Sequence, residues 1–163
     1  MHRLTRFIPI VASVTSAVSV VATLAASSAH AVVSSPDPFK GILRVCDFTN
    51  SFLPGIGYAN GYSIIGSDGA TAIAEIHLFN AAPDTYYGVR FIELPRPVLG
   101  CSAGDPGVVT GSFVTDYRGD ATLTLAQPVI SGATKAWVLI EGPPNNAKQI
   151  AGDFYSSDFA ASI

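Results

Sequence analysis

Charge is scarce in this chain: only 13% of its 163 residues are Asp, Glu, Lys or Arg. Reactive and metal-binding types are scarcer still, with two cysteines, three histidines, one methionine and one tryptophan. Each shortage removes a class of function. Binding a nucleic-acid backbone needs clustered cations that release counterions, whereas Lys40, Arg44, Arg90, Arg96, Arg118, Lys135 and Lys148 stand singly. Nucleic acid is therefore not an expected partner, and an anionic membrane surface is disfavoured for the same reason. A zinc or copper centre needs several convergent nitrogen or sulfur ligands; past residue 31 the only histidine is His77, so no metal and no cofactor is expected. Neither a Gly-Lys-Ser/Thr phosphate loop nor the Gly-x-Ser-x-Gly elbow of hydrolases occurs. Helical periodicity is missing beyond residue 31, where apolar and polar residues alternate over short runs.

What is present starts with Met1 to Ala31, which reads as an export signal. Arg3 and Arg6 form a basic start, Phe7 to Ala26 is an apolar run, and Ala29-His30-Ala31 puts small residues where a signal peptidase cuts. Cleavage would leave Val32 first and residues 32–163 as a single domain, the size of one core. The other reading of the run is a retained anchor, since about 20 apolar residues span a bilayer. Without Arg3 and Arg6 the nine basic residues fall to seven against twelve acidic ones, a net charge of about −5. The expected localisation is extracellular, with no membrane contact after cleavage.

Cys46 and Cys101 are the only cysteines, and an even count in a small secreted domain favours a disulfide. By chain entropy such a bridge is worth about 4 kcal/mol. Two buried thiols, or pairing with another chain, are the alternatives.

Short strands punctuated by Gly, Pro, Asn and Asp fill the rest. Gly41 to Asp47 is the first expected strand, and Tyr62 to Ile65 follows a long aromatic loop. Ala70 to Phe79 puts Ala72, Ala74, Ile76 and Leu78 on one face and Glu75 and His77 on the other. Thr85 to Leu94 should pair with it as a hairpin across Asn80–Asp84, and Pro95 and Pro97 end it. Val108 to Thr115 and Ala121 to Leu125 read as another hairpin, whose turn uses Gly119. Lys135 to Glu141 sets Ala136, Val138 and Ile140 opposite Trp137 and Leu139, and a last strand is expected between Ala147 and Ser156. About seven antiparallel strands with turns at this spacing predict an all-β fold of two packed sheets.

Asn80-Ala81-Ala82-Pro83-Asp84-Thr85-Tyr86-Tyr87-Gly88-Val89 resembles the turn-and-strand entry of extracellular sandwich modules, and Thr115-Asp116-Tyr117-Arg118-Gly119-Asp120-Ala121 is similar to a hairpin of bacterial immunoglobulin-like repeats. The resemblance implies an immunoglobulin-like or fibronectin-type β-sandwich. Trp137 follows both cysteines, where antibody-type domains hold the tryptophan between them, so a small barrel stays open as the alternative topology.

Candidate chemistry is thin. His77 beside Glu75 reads as an outward polar residue, because no activated nucleophile accompanies it. Asp116 with Asp120, and Asp153 with Asp158, are carboxylate pairs that turns also favour. Arg118-Gly119-Asp120 spells an integrin-recognition tripeptide and equally suits a tight turn. The surplus lies in the loop around Phe52, Tyr58 and Tyr62, where Tyr among Gly and Asn makes an adaptable contact surface; folding back over an open end of the sandwich is the other use. The expected function is a non-enzymatic secreted module binding an unknown protein or cell-envelope component. The alternative is a carrier of a small apolar ligand in an inter-sheet cleft near Phe91, Phe113 and Trp137.

Overall fold

The computed structural model describes residues 32–55, 57–143 and 152–163. The leader expected over Met1–Ala31, and the turn and strand start expected over 144–151, lie outside them. Among the described residues there are strands and no helix, hence none long and apolar enough to cross a membrane. In chain order the strands are β1 (Val32–Val33), β2 (Asp37–Lys40), β3 (Ile42–Arg44), β4 (Asn50–Pro54), β5 (Asn60–Ser67), β6 (Thr71–Phe79), β7 (Tyr86–Leu94), β8 (Val108–Val114), β9 (Ala121–Pro128), β10 (Lys135–Glu141), β11 (Phe154–Ser157) and β12 (Ala161–Ser162).

Alternation decides the faces. On β6, Ala72, Ala74, Ile76 and Leu78 are fully buried while Glu75 and His77 point outward, as period 2 requires. Between β5 and β6 the chain reverses at Ser67–Gly69, where Asp68 Oδ1 accepts from Ala70 N (2.8 Å) and Thr71 N (2.7 Å). Burying such side chains is worth about 1.5–3 kcal/mol each, which fixes the register.

Every ladder is antiparallel, and one continuous sheet follows the order β8-β7-β10-β11-β2-β5-β6-β9, with β1 on β5, β12 on β10, and β3–β4 as a separate hairpin. Strand β2 is the corner: Asp37 and Pro38 pair with Ser63 and Tyr62 on β5, Phe39 and Lys40 with Ser157 and Ser156 on β11. The two halves curl toward each other until the end strands β8 and β9 lie side by side, so the sheet is nearly a barrel. Its interior holds Phe39, Ile65, Tyr87, Phe91, Ile140 and Tyr155, with Ile76, Leu78 and Val138.

The hairpin expected between Ala70–Phe79 and Thr85–Leu94 does not form. Strand β6 already has β5 on one edge and β9 on the other, and β7 has β10 and β8. Residues 80–85 therefore carry the chain across from one half to the other. The turn at 115–120 is present, but the strands it joins are not a ladder either: β8 pairs with β7 and β9 with β6. The two crossings run together and bond to each other, through Ala81 N to Gly119 O (3.0 Å), Thr115 N to Thr85 O (3.0 Å) and Thr115 Oγ1 to Ala82 O (2.6 Å). Gly119 has φ +83°, and a Cβ there would collide with the Ala81 backbone; only glycine fits. Part of the stretch expected as a loop, Phe52 to Tyr62, is strand at its two ends, in β4 and β5.

A second apolar cluster lies on the outer face of β7 and β10. Trp137 and Leu139 on β10 and Ile92 on β7 are buried there with Cys46 and Cys101, flanked by Leu43, Phe48, Leu94 and Val108. The cover consists of the β3–β4 hairpin and the segment after β7, tied by a disulfide between Cys46 and Cys101 (Cα–Cα 5.5 Å). Phe48 meets Trp137 edge to face at 5.4 Å. Arg44 pins the hairpin to the body, donating from Nε to Ser157 O (3.1 Å) and from Nη2 to Asp158 O (3.3 Å). Strand β10 is thus buried on both faces, which is why Ala136 to Ile140 reads as an unbroken apolar run.

Candidate functional site

The outer face of β5 and β6 carries an aromatic strip. Tyr62 lies directly opposite His77 in the ladder, and Asn60 opposite Phe79, so the outward pleat brings three rings together. Tyr62 stacks on His77 (centroids 4.7 Å, interplanar angle 27°), and Phe79 lies 6.1 Å from Tyr62 and 6.2 Å from His77. Gly61 makes this alignment possible, since a Cβ there would strike His77 O and approach Phe39 Cδ2 at 2.9 Å; close approach of the two backbones sets Tyr62 outward. His77 Nε2 lies 2.8 Å from Glu75 Oε1. The neighbour across its ring is the face of Tyr62.

Tyr58 precedes the strip in the connection to β5 and is 74% exposed. The loop backbone beside it is anchored, because Ala59 N donates to Tyr155 Oη (3.3 Å) and Gly57 sits against the Tyr155 ring. Burial, with the nearby Asp153 charge, pushes the Tyr155 phenol up to about 12, so it stays a neutral hydrogen-bonding partner. Of the three contact residues expected from the sequence, Tyr58 is exposed and Tyr62 is half-buried in the stack; Phe52 belongs to β4, and its side chain lies outside the described part. His77 and Phe79 are additions that sequence reasoning missed. Their signal was the i, i+2 spacing His77-Leu78-Phe79, which becomes a cluster with Tyr62 only once the β5–β6 register is fixed.

The residues expected to line an inter-sheet cleft separate. Phe91 is fully buried in the interior and Phe113 packs beside Tyr87 (5.8 Å), while Trp137 points the other way into the outer cluster. Among the described residues, surface clefts of about 270–300 Å³ lie beside Arg90, Pro36 and Ile73, and these rings do not line them.

Titratable groups are dispersed. Glu93 is fully buried at one end of the interior, where Oε2 accepts from Ile130 N (3.0 Å) and Oε1 has no partner among the described residues; burial holds its carboxyl above the usual range, against the opposing pull of the Ile130 N–H and Arg96. At the other end Tyr87 Oη donates to Asp153 Oδ2 (3.1 Å), and burial raises the Tyr87 phenol. Asp116 spends Oδ1 on the N–H groups of Asp120 (2.9 Å) and Arg118 (2.8 Å), which hold its carboxyl low. Asp120 Oδ1 accepts from Asn80 N (3.1 Å), so the Arg118-Gly119-Asp120 turn is committed to the crossing beneath it. Asp158 pairs with Lys40 (3.5 Å). Among the described residues no group of three or more His, Cys, Asp and Glu is placed to hold a metal ion.

In comparisons with known proteins, no protein family, no curated protein and no solved structure matches this chain.

Proposed function

We propose that the chain is an exported, non-enzymatic binding module that meets a protein or cell-envelope partner through the aromatic strip of β5 and β6, extended by Tyr58. The observation that carries this is the set of three rings, Tyr62, His77 and Phe79, aligned on an outward sheet face. Rings held by a ladder give contact area with little conformational entropy left to lose. Sandwiches and small barrels serve widely as binding scaffolds, but fold alone assigns no activity. Phe91, Phe113 and Trp137 point into two different clusters, which gives a carrier of apolar ligands no support.

Export is part of the proposal. Its support is the signal-like Met1–Ala31 and the disulfide, a bond that persists in oxidising compartments. The immunoglobulin-like sandwich belongs here as well, supported by two curled antiparallel halves with alternating faces; their continuity through β2 favours a partly closed form.

Capture from the native extracellular milieu tests the contact surface, using the chain and its Tyr58→Ala/Tyr62→Ala variant as baits. A partner held by the first and lost by the second is the expected result. Identical captures by both remove the aromatic strip as the binding face. Mass measurement of the exported product should give a chain starting at Val32, and an intact Met1 end refutes cleavage.

A further inference from the structure

The geometry points to a saccharide-binding cleft on the outer face of β7, β8 and β10, in which Arg90, Glu141 and Tyr86 hold a neutral sugar unit. The hollow measures about 300 Å³ and is bordered also by Gly88, Ser102 and Thr110. That is the lower end of the size of small-molecule sites, about 300–1,000 Å³, and leaves room for a unit as small as a single ring.

Gly88 is the informative residue. It sits mid-strand on β7, opposite Glu141 on β10 and Ser112 on β8. A glycine there weakens the strand by about 0.5–1 kcal/mol. Neither conformation nor packing demands it: Gly88 is not among the glycines with positive φ, and a Cβ would meet nothing nearer than Glu141 O at 3.9 Å. What the missing side chain creates is the floor of the cleft.

The walls are preorganised. Arg90 Nη2 lies 2.7 Å from Glu141 Oε2, and Nη1 donates to Cys101 O (3.2 Å). Both side chains remain about one-third exposed and border the hollow, so part of the guanidinium and of the carboxylate faces a ligand placed there. A sugar hydroxyl donates and accepts at once and can answer a guanidinium and a carboxylate set side by side with charge-assisted bonds. Glu141 already neutralises Arg90, so an anion gains no net attraction, and an apolar ligand would strip water from these groups without replacing its bonds. Tyr86, 61% exposed beside Val114, offers a ring at the rim for the C–H face of a pyranose. The cleft lies on the other half of the sheet from the aromatic strip and stands or falls independently of it.

Amide NMR of the purified full chain tests this, titrated with neutral oligosaccharides of glucose, mannose and N-acetylglucosamine and with sialylated and sulfated ones for comparison. Saturable shifts at Gly88, Arg90, Ser102 and Thr110 with a neutral sugar are expected. Arg90→Ala should weaken binding about tenfold, the loss of a charge-assisted hydrogen bond. Gly88→Val, which keeps every polar group and suits a strand, should abolish it. Should Gly88→Val perturb amides elsewhere, Tyr86→Ala at the exposed rim takes its place, with several-fold weakening expected and an unchanged affinity counting against the site. The proposal is overturned if no neutral sugar shifts these amides, if only charged ones do, or if binding survives filling of the floor.

Discussion

Breaking the Cys46–Cys101 bridge should loosen the outer cluster before the barrel. The bond joins residues 55 apart in sequence, and closing a loop of that length is worth about 4 kcal/mol by chain entropy. Small domains are stable by about 5–15 kcal/mol, so the reduced chain should stay folded with much of its margin gone. With a urea slope of about 1–3 kcal/mol per molar, the midpoint should fall by about 2 M. A local reporter accompanies the global one. Trp137 is the only tryptophan, is fully buried, and lies beneath the bridge against Phe48 at 5.4 Å. In a Cys46→Ala/Cys101→Ala variant its emission should move to longer wavelength, and become quenchable by acrylamide, at urea concentrations where the far-ultraviolet β signal is still intact. An unchanged emission maximum, with a loss of stability below about 1 kcal/mol, would refute the assignment of the bridge as the tie that holds this cover down.

Two further measurements address the interior and the crossing. Because burial raises the Glu93 carboxyl in the folded chain, its contribution to stability is full below the unfolded carboxylate value of about 4.3 and is lost as pH rises through the folded value, at no more than about 1.4 kcal/mol per pH unit. The unfolding midpoint of the parent should therefore fall relative to that of Glu93→Gln as pH rises from about 4 toward neutrality; a difference that does not change with pH contradicts this. Gly119→Ala combines positive φ with a collision against Ala81 and should cost about 2 kcal/mol or more. Gly132→Ala, at φ +87° with nothing within 4 Å, should cost about 1 kcal/mol, so equal losses in thermal melts would deny the packed crossing.

Local features were well marked in the chain. Ala72 to Leu78 alternate with Glu75 and His77 in the sequence as they do across the sheet, Gly119 turns where a positive φ is needed, and Lys135–Glu141 is strand over its whole expected length. Pairing was not marked. The Asn80–Asp84 turn signal says that the chain reverses but leaves open which edge the next strand joins, and β6 and β7 end in different halves. Residues 136–140 are apolar on both sides of the strand, yet nothing local names the hairpin and disulfide segment that cover the outer one. The candidate sites divide the same way. Tyr58 and Tyr62 stand out in a Gly- and Asn-rich loop, while His77 and Phe79 join them only through the β5–β6 register. Arg90 and Glu141, 51 positions apart, become neighbours only because β7 and β10 pair.

The sequence by itself determined the all-β class, the two faces of each long strand and the scarcity of reactive groups, because these follow from periodicity of two, from turn residues and from composition. Only the tertiary structure decided the single curled sheet, the crossing of its halves, the covered tryptophan and which residues gather at the two candidate sites. Edge choice and register are set by the summed burial of side chains far apart in the chain, and that sum exists only once the strands have met.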